Sequence, residues 1–289
     1  MKMELQLRVF TLNCWGIPGI SADRKARIVA IATELARGGY DLVALQEVWS
    51  YSDYETIARK VFPSMRYSYY FRSGCLGSGL CIFSKGRIID ALFQTWPLNG
   101  YAHRIQHGDW FGGKGVGLAR IFYQGIFINF YTAHLHAVYN HNNDEYLSHR
   151  VCQAFEFSQF VSSTSSNCDV VIVAGDFNAE IVDVPYRLIC YNANLLDTFK
   201  QCEKKDEGNG ATNETKRNSY TPSSILKENP YGRRIDYILY NYHNGSEVKV
   251  LASSLPLDKI PELGLSFSDH EAVSATLNIT KSAGVKKWR

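Results

Sequence analysis

Asp169-Val170-Val171-Ile172-Val173-Ala174-Gly175-Asp176-Phe177-Asn178 is the stretch on which the fold turns. Its apolar run is short and strand-forming, which marks a strand buried in a sheet. Gly175 permits a tight turn. Asp176 and Asn178, two residues apart, then point the same way. An Asn there can donate to a phosphoryl oxygen as negative charge builds up. An Asp can bind metal, accept a proton or hold the Asn in place. The alternative, an ordinary Asp-x-Asn turn, fits less well after so buried a strand.

Three other strings share this pattern of polar residues behind a strand: Leu12-Asn13-Cys14-Trp15-Gly16, Leu45-Gln46-Glu47-Val48 and Ser268-Asp269-His270. Glu47 is a hard oxygen ligand suited to Mg²⁺. Gln46 beside it is a natural partner for a ligand. Asn13 can complete a metal site without adding charge, or simply end its strand in a turn. His270 is the best acid–base candidate near neutral pH. It needs a carboxylate to fix its tautomer. Asp236, in Arg234-Ile235-Asp236-Tyr237, fits that task better than its neighbour Asp269. His134, in Thr132-Ala133-His134-Leu135-His136, can reach the phosphate, and His136 reads as structural or as part of the rim.

Gly108-Asp109-Trp110-Phe111-Gly112-Gly113-Lys114-Gly115 matches seven positions of a P-loop but lacks the Ser or Thr at the eighth. No clear strand precedes it and no helix follows, so nucleotide binding is rejected. It reads instead as a loop that carries Lys114 to a phosphate, with Asp109 as ion-pair partner. A surface lysine in a Gly-rich hairpin is the alternative.

The 289 residues are 45% hydrophobic and 20% charged, with a net charge of +3. Such a chain can bury a sizeable core, and its charge is too mild for a dedicated duplex binder. Seven cysteines without a CxxC pair favour reduced thiols in a cytosol-facing protein. No leader-like block opens the sequence, and no apolar run is long enough to span a membrane.

Strand-like segments at Arg8–Asn13, Asp41–Gln46, Leu80–Ser84, Gly117–Phe122, Ile126–His134, Asp169–Gly175, Arg234–Tyr240, Val248–Ser254 and Ala272–Ile279 alternate with helices. The helices run from a Ser21 cap to Arg37, from Asp53 to Phe62 and from Asn143 to Ser162. The last would use Val151, Phe155, Phe157 and Phe160 as its apolar positions. Gln201–Asn218 reads as a polar surface loop. The pattern implies one α/β domain, residues 1–280, of two packed sheets with helices outside. Residues 281–289 form a short basic tail.

Together Leu12–Gly16, Gln46–Val48, Thr132–His136, Gly175–Asn178, Arg234–Leu239 and Ser268–Ala272 resemble the endonuclease/exonuclease/phosphatase superfamily. Phe71–Lys85, Leu98–Tyr101 and His107–Gly117 are similar to the Mg²⁺-dependent neutral sphingomyelinases within it. The resemblance implies a four-layered α/β/β/α sandwich that hydrolyses sphingomyelin to ceramide and phosphocholine with Mg²⁺, or Mn²⁺, as cofactor. It implies Glu47 and Asn13 as metal ligands. Asp176, Asn178 and His134 would act on the phosphate, and His270 would be the base with Asp236 as orienter and Asp269 in support; Lys114 joins them only on the loop reading above. The partner is then a membrane lipid, reached through apolar loops such as Trp96, Trp110-Phe111 and Leu255–Phe267, and not nucleic acid. An aromatic wall would suit the choline head. The expected setting is cytosol-facing and peripheral to intracellular membranes, with a C-terminal anchor in a longer parent left open. Rival readings are a phospholipase C acting on lyso-choline lipids, a metal-dependent endonuclease, a phosphoinositide phosphatase and a catalytically dead lipid-binding module.

Overall fold

The structure is a computed structural model that describes residues 2–203 and 210–282. In chain order the strands are β1 (Lys2–Asn13), β2 (Leu42–Gln46), β3 (Tyr67–Phe71), β4 (Leu80–Ser84), β5 (Arg87–Thr95), β6 (Gly115–Tyr123), β7 (Ile126–His134), β8 (Val170–Asp176), β9 (Leu196–Asp197), β10 (Asp236–Tyr242), β11 (Ser246–Ser254) and β12 (Val273–Ser282). The helices are α1 (Arg24–Arg37), α2 (Tyr51–Val61), α3 (Leu147–Thr164), α4 (Val184–Asn192), α5 (Thr198–Gln201) and α6 (Ser223–Glu228).

Two six-stranded sheets result, ordered β11-β12-β1-β2-β4-β3 and β5-β6-β7-β8-β10-β9. Each sheet has a parallel pair, β1 with β2 and β7 with β8, flanked by antiparallel neighbours. Helices α1 and α2 cover the outer face of the first sheet through Ile28, Ile31, Leu35, Ile57 and Val61. Helices α3 and α4 cover the second through Ala154, Phe157, Val161 and Ile189. The architecture is the four-layered α/β/β/α sandwich.

Period two along a strand decides what faces the gap between the sheets. On β1 the inward stripe runs Leu5, Leu7, Val9, and on β8 Val170, Ile172, Ala174. Each fully buried aliphatic contributes about 1.5–3 kcal/mol. At one end every stripe turns polar without leaving the core face. Val9 gives way to Thr11 and Asn13, Ala44 to Gln46, Phe130 to Thr132 and His134, Ala174 to Asp176, and Ile238 to Asp236, all buried. The parallel register pairs Asn13 with Gln46 and His134 with Asp176, so both sheets deliver their polar ends to the same place. Gln46 links the sheets there, its Nε2 donating to Thr11 Oγ1 at 3.1 Å and to Thr132 Oγ1 at 3.0 Å.

Several expectations change. Ser21 does not cap α1. Its hydroxyl accepts from Ile17 N, and the helix starts three residues later behind Asp23 in a left-handed turn (φ 52°). Helix α3 buries His149, Arg150, Gln153, Ala154, Phe157, Ser158 and Val161 while Phe155 faces out, because its covered face packs polar loops as well as sheet. Strand β12 includes Lys281 and Ser282, so the expected tail cannot begin at 281, and residues 283–289 lie outside the described residues. Of the expected loop at 201–218, residues 204–209 lie outside them too. The described remainder is only partly surface: Ala211, Thr212, Thr215 and Asn218 are buried, while Lys216 and Arg217 are exposed.

Gly175 serves packing, not turning. It lies inside β8, and a Cβ there would meet Ala133 O of the neighbouring β7 at 2.2 Å. Gly175→Ala is therefore expected to force β7 and β8 apart and to cost about 1–3 kcal/mol by overpacking. Denaturant melts check this, and a variant as stable as the wild type would refute the close-approach argument.

Candidate active site

Each site residue sits at, or just beyond, the polar end of an inward stripe. Three of them need unusual backbone: Trp15 (φ 45°), Glu47 (φ 56°) and Asn178 (φ 45°) are all left-handed without being glycine. Such conformations cost roughly 1–3 kcal/mol each and persist only where the surroundings over-determine them. Here the two loops after β1 and β2 interlock, since a Cβ on Gly16 would lie 2.3 Å from Glu47 O.

Asp176 is at the centre. Its Oδ2 accepts from Asn13 Nδ2 at 3.0 Å, and its Oδ1 accepts from Asn178 N at 2.9 Å. His134 Nε2 lies 3.4 Å and His270 Nε2 3.9 Å from Oδ2. Burial, with the Asp236 charge adding to it, pushes this carboxyl up to about 7, against the pull of His270 and the two donors.

His270 Nδ1 is 2.9 Å from Asp236 Oδ2. Asp236 is fully buried, with Ile235 N and its own N–H both bonded to Thr212 Oγ1. Burial alone would depress the imidazole, but Asp236 and Asp176 outweigh it and hold His270 well above the usual histidine range. Asp269 takes a bond from Ser268 Oγ and does not contact the ring of His270. Burial chiefly, and the Glu47 charge, raise it to about 6. Asp236 is thus the carboxylate on His270, as the sequence argument preferred.

Lys114 is buried, not a surface lysine. Its Nζ pairs with Asp109 Oδ1 at 2.6 Å and approaches His134 Nε2 at 3.3 Å. Burial would raise Asp109, but Lys114 and His136 bring it below the ordinary carboxylate range. Burial and the Lys114 charge keep His134 well below its usual value, so its ring is neutral. A neutral ring that accepts from Lys114 at Nε2 carries its proton on Nδ1, which has no partner. His136 is structural: it is buried, bonded through Nδ1 to Ala137 O and stacked 4.0 Å from Tyr146.

Asn13 differs from the expectation. Its amide oxygen accepts from Trp15 N, and its NH₂ group donates to Glu47 Oε1 at 2.9 Å as well as to Asp176. An oxygen reaches a cation from Asn13 only if the amide turns over. Glu47 Oε2 and Asp236 Oδ1 are buried and find no partner among the described residues. A buried carboxylate oxygen left unpaired is costly, and a hard cation would satisfy it. Among the described residues Asp176, Asp236 and His270 also form a group whose donor atoms lie within 4.8 Å of one another. The donor set, carboxylates with one imidazole, fits a divalent cation.

Trp96 does not meet solvent, and Leu255–Phe267 is buried only in part, with Leu263 46% exposed. Trp96 is 4% exposed and donates to His134 O, while Leu257, Ile260 and Phe267 pack under α1. Trp110 and Phe111 do face out, at 52% and 43%. Arg27, unforeseen, is fully buried in α1. It donates to Cys14 O and Trp15 O at 2.7 Å and to Phe267 O at 3.2 Å, tying the Asn13 loop to the His270 loop. A lone Arg in an amphipathic helix gives no sequence signal of this. Thr212 and Asn213 were missed because the stretch around them is polar.

The endonuclease/exonuclease/phosphatase family model matches residues 10–270. A Drosophila melanogaster sequence assigned to the neutral sphingomyelinases is 46% identical over 96% of this chain and 62% of its own length. Human sphingomyelin phosphodiesterase 2 is 40% identical over 97% of this chain and 66% of its own. The chain thus spans somewhat under two thirds of these relatives. A variant of Staphylococcus aureus beta toxin with bound magnesium ions shares the fold with a TM-score of 0.70 at 16% identity, covering 94% of this chain and 99% of that one. The match over residues 10–270 spans the segment that carries the dyad and the buried acids, and it covers nearly the whole sandwich: this chain belongs to the endonuclease/exonuclease/phosphatase family.

Proposed function

We propose that this chain is a divalent-cation-dependent phosphodiesterase that hydrolyses sphingomyelin to ceramide and phosphocholine. The observation that carries the reading is the His270–Asp236 dyad, with His270 Nε2 turned toward Asp176. Asp236 accepts a hydrogen bond from Nδ1–H and so fixes the tautomer, which leaves Nε2 free to remove a proton from water. That water attacks phosphorus in line with the departing ceramide oxygen.

Three groups answer the charge that builds on the equatorial oxygens. Neutral His134 offers its one ring N–H as a hydrogen bond, Lys114 supplies an ammonium 3.3 Å from that ring, and Asn178 supplies an amide. Asn178 Nδ2 spends its bond on Leu135 O at 3.2 Å, so it turns to phosphate by exchanging one acceptor for another. Glu47 is the residue that would hold the cation, with Asn13 beside it. Mg²⁺ suits such oxygen donors, and when bound it supplies charge neutralisation at the phosphate and leaving oxygen.

Support for a lipid comes from the relatives' names and from Trp110-Phe111, which follow Asp109 in sequence and stand exposed beside the Lys114 segment. A backbone-tracking nuclease would need Lys and Arg in such a loop. Seven free thiols agree with a reducing, cytosol-facing setting.

Phosphocholine release from sphingomyelin, phosphatidylcholine and lyso-choline lipids, with plasmid DNA alongside, tests the substrate. Cleavage of DNA without lipid would overturn the proposal. His270→Gln is expected to lose about 10²–10⁴-fold in turnover while still binding vesicles, and near-normal turnover would remove His270 as base. The base must be neutral to act, and its pKa is raised, so activity falls as pH drops through that raised value. Asp236→Asn removes the largest raising charge. Its slower reaction should keep its activity to lower pH than the wild type, as a pH–rate profile would show. Glu47→Gln should raise the Mg²⁺ concentration needed for half-maximal activity by about tenfold or more. A titration of metal-depleted enzyme measures this.

A further inference from the structure

A cavity of about 500 Å³ opens beside the site. Its lining includes Asn178, just beyond the end of β8, and Ile235, which precedes Asp236. Asn213 also lines it and is bridged on its other side to His270. We propose that this cavity takes the cationic headgroup of the substrate. The inference rests on the phosphodiesterase reading above and adds where, and by what force, the headgroup is held.

Stereochemistry points there first. In an in-line displacement the entering water and the departing oxygen take the two apical positions at phosphorus. The two bare oxygens and the headgroup oxygen are equatorial. The headgroup stays on phosphorus throughout, so its room must open sideways, next to the groups that hold the bare oxygens. Asn178 is both one of those groups and a wall of the cavity.

The charge of the lining selects the ligand. Asp144, Glu180, Asp183 and Glu214 face Arg150 and Arg233. Arg150 is engaged by Asp144, and Asp183 accepts from Glu180 N. Arg233 lies between two carboxylates, Glu180 at 2.6 Å and Glu214 at 2.9 Å. One guanidinium between two carboxylates leaves a negative balance. Glu214 holds its place in a left-handed conformation (φ 55°) directly after Asn213, a strain that marks a built position. Among the described residues the lining has no Tyr, Trp or Phe. A quaternary ammonium is therefore held here by charge, and the aromatic wall expected from the sequence is not at this cavity. An anionic headgroup would be repelled.

The test compares sphingomyelin with its neutral isostere, in which 3,3-dimethylbutyl replaces choline, in mixed micelles with Mg²⁺. The wild type should prefer the choline lipid in kcat/KM by up to about fivefold, the worth of one partly exposed ion pair. Glu214→Gln should bring the ratio toward one. Arg233→Gln, which frees both carboxylates, should raise it above the wild-type value. A rise cannot come from misfolding, so the second variant decides the matter if the first is unstable. Equal wild-type rates on the two lipids, or a ratio unmoved by both substitutions, would overturn the pocket while leaving sphingomyelin hydrolysis standing. Turnover of bis(4-nitrophenyl) phosphate with neither lipid cleaved would defeat the substrate reading and the pocket together.

Discussion

A carboxylate buried between two sheets is the constraint on which this molecule depends. Asp176 is 1% exposed, and a carboxylate so placed costs several kcal/mol unless its oxygens find donors. One donor comes from its own turn, the Asn178 N–H, and another comes across the gap from Asn13 of the opposite sheet. The two sheets can satisfy it in only one register. A shift of one residue would turn Asn13 outward and expose the Val9 stripe. The apolar part of the sandwich supplies stability, and the polar end uses some of it to hold acids, imidazoles and left-handed turns in place.

Much of this was legible because period two is a strict rule. Once Val170–Ala174 was read as a strand, Asp176 had to sit at its mouth, and Glu47, Asn13 and His134 followed by the same reasoning. Asp236 could be preferred to Asp269 because adjacent residues seldom meet, and it indeed ends 2.9 Å from His270. The direction of the Asn13 amide was not legible, since it depends on which loop N–H claims its oxygen. Nor was the buried face of α3, where His149, Arg150 and Gln153 cover polar loops and break the hydrophobic pattern. Trp96 misled for a related reason: a large aromatic in a loop has no periodicity to say whether it meets solvent or, as here, a carbonyl in the core. The most consequential omission, residues 211–218, looked like surface by composition. Their polar side chains are spent on Ser268 and Glu271, with Thr215 Oγ1 to Glu271 Oε1 at 2.8 Å and Asn218 Nδ2 to Ser268 O at 3.0 Å.

Arg27 joins the two ends of the site alongside Ser268 Oγ, which donates to Asn13 O at 2.6 Å. A guanidinium offers five donors in a rigid plane, and here they go to backbone carbonyls near residues 14, 15, 22 and 267. It stands over the Trp15 ring at 4.7 Å, which shields it in place of a carboxylate. The loops that bear Asn13 and His270 are thereby held by one side chain from outside the sheet.

The position of β1 has a consequence for synthesis. It lies inside its sheet, yet its antiparallel partner β12 is the last strand of the described chain. Until Val273–Ser282 emerges from the ribosome, the ten-residue ladder from Lys2 to Thr11 has one open edge, and its inward stripe is apolar. Open apolar edges invite pairing with another chain, and contacts this distant in sequence form slowly. A nascent chain stalled before residue 273 would be an aggregation hazard rather than a partly active enzyme. Its tendency to self-associate would come from the same strand that carries Asn13.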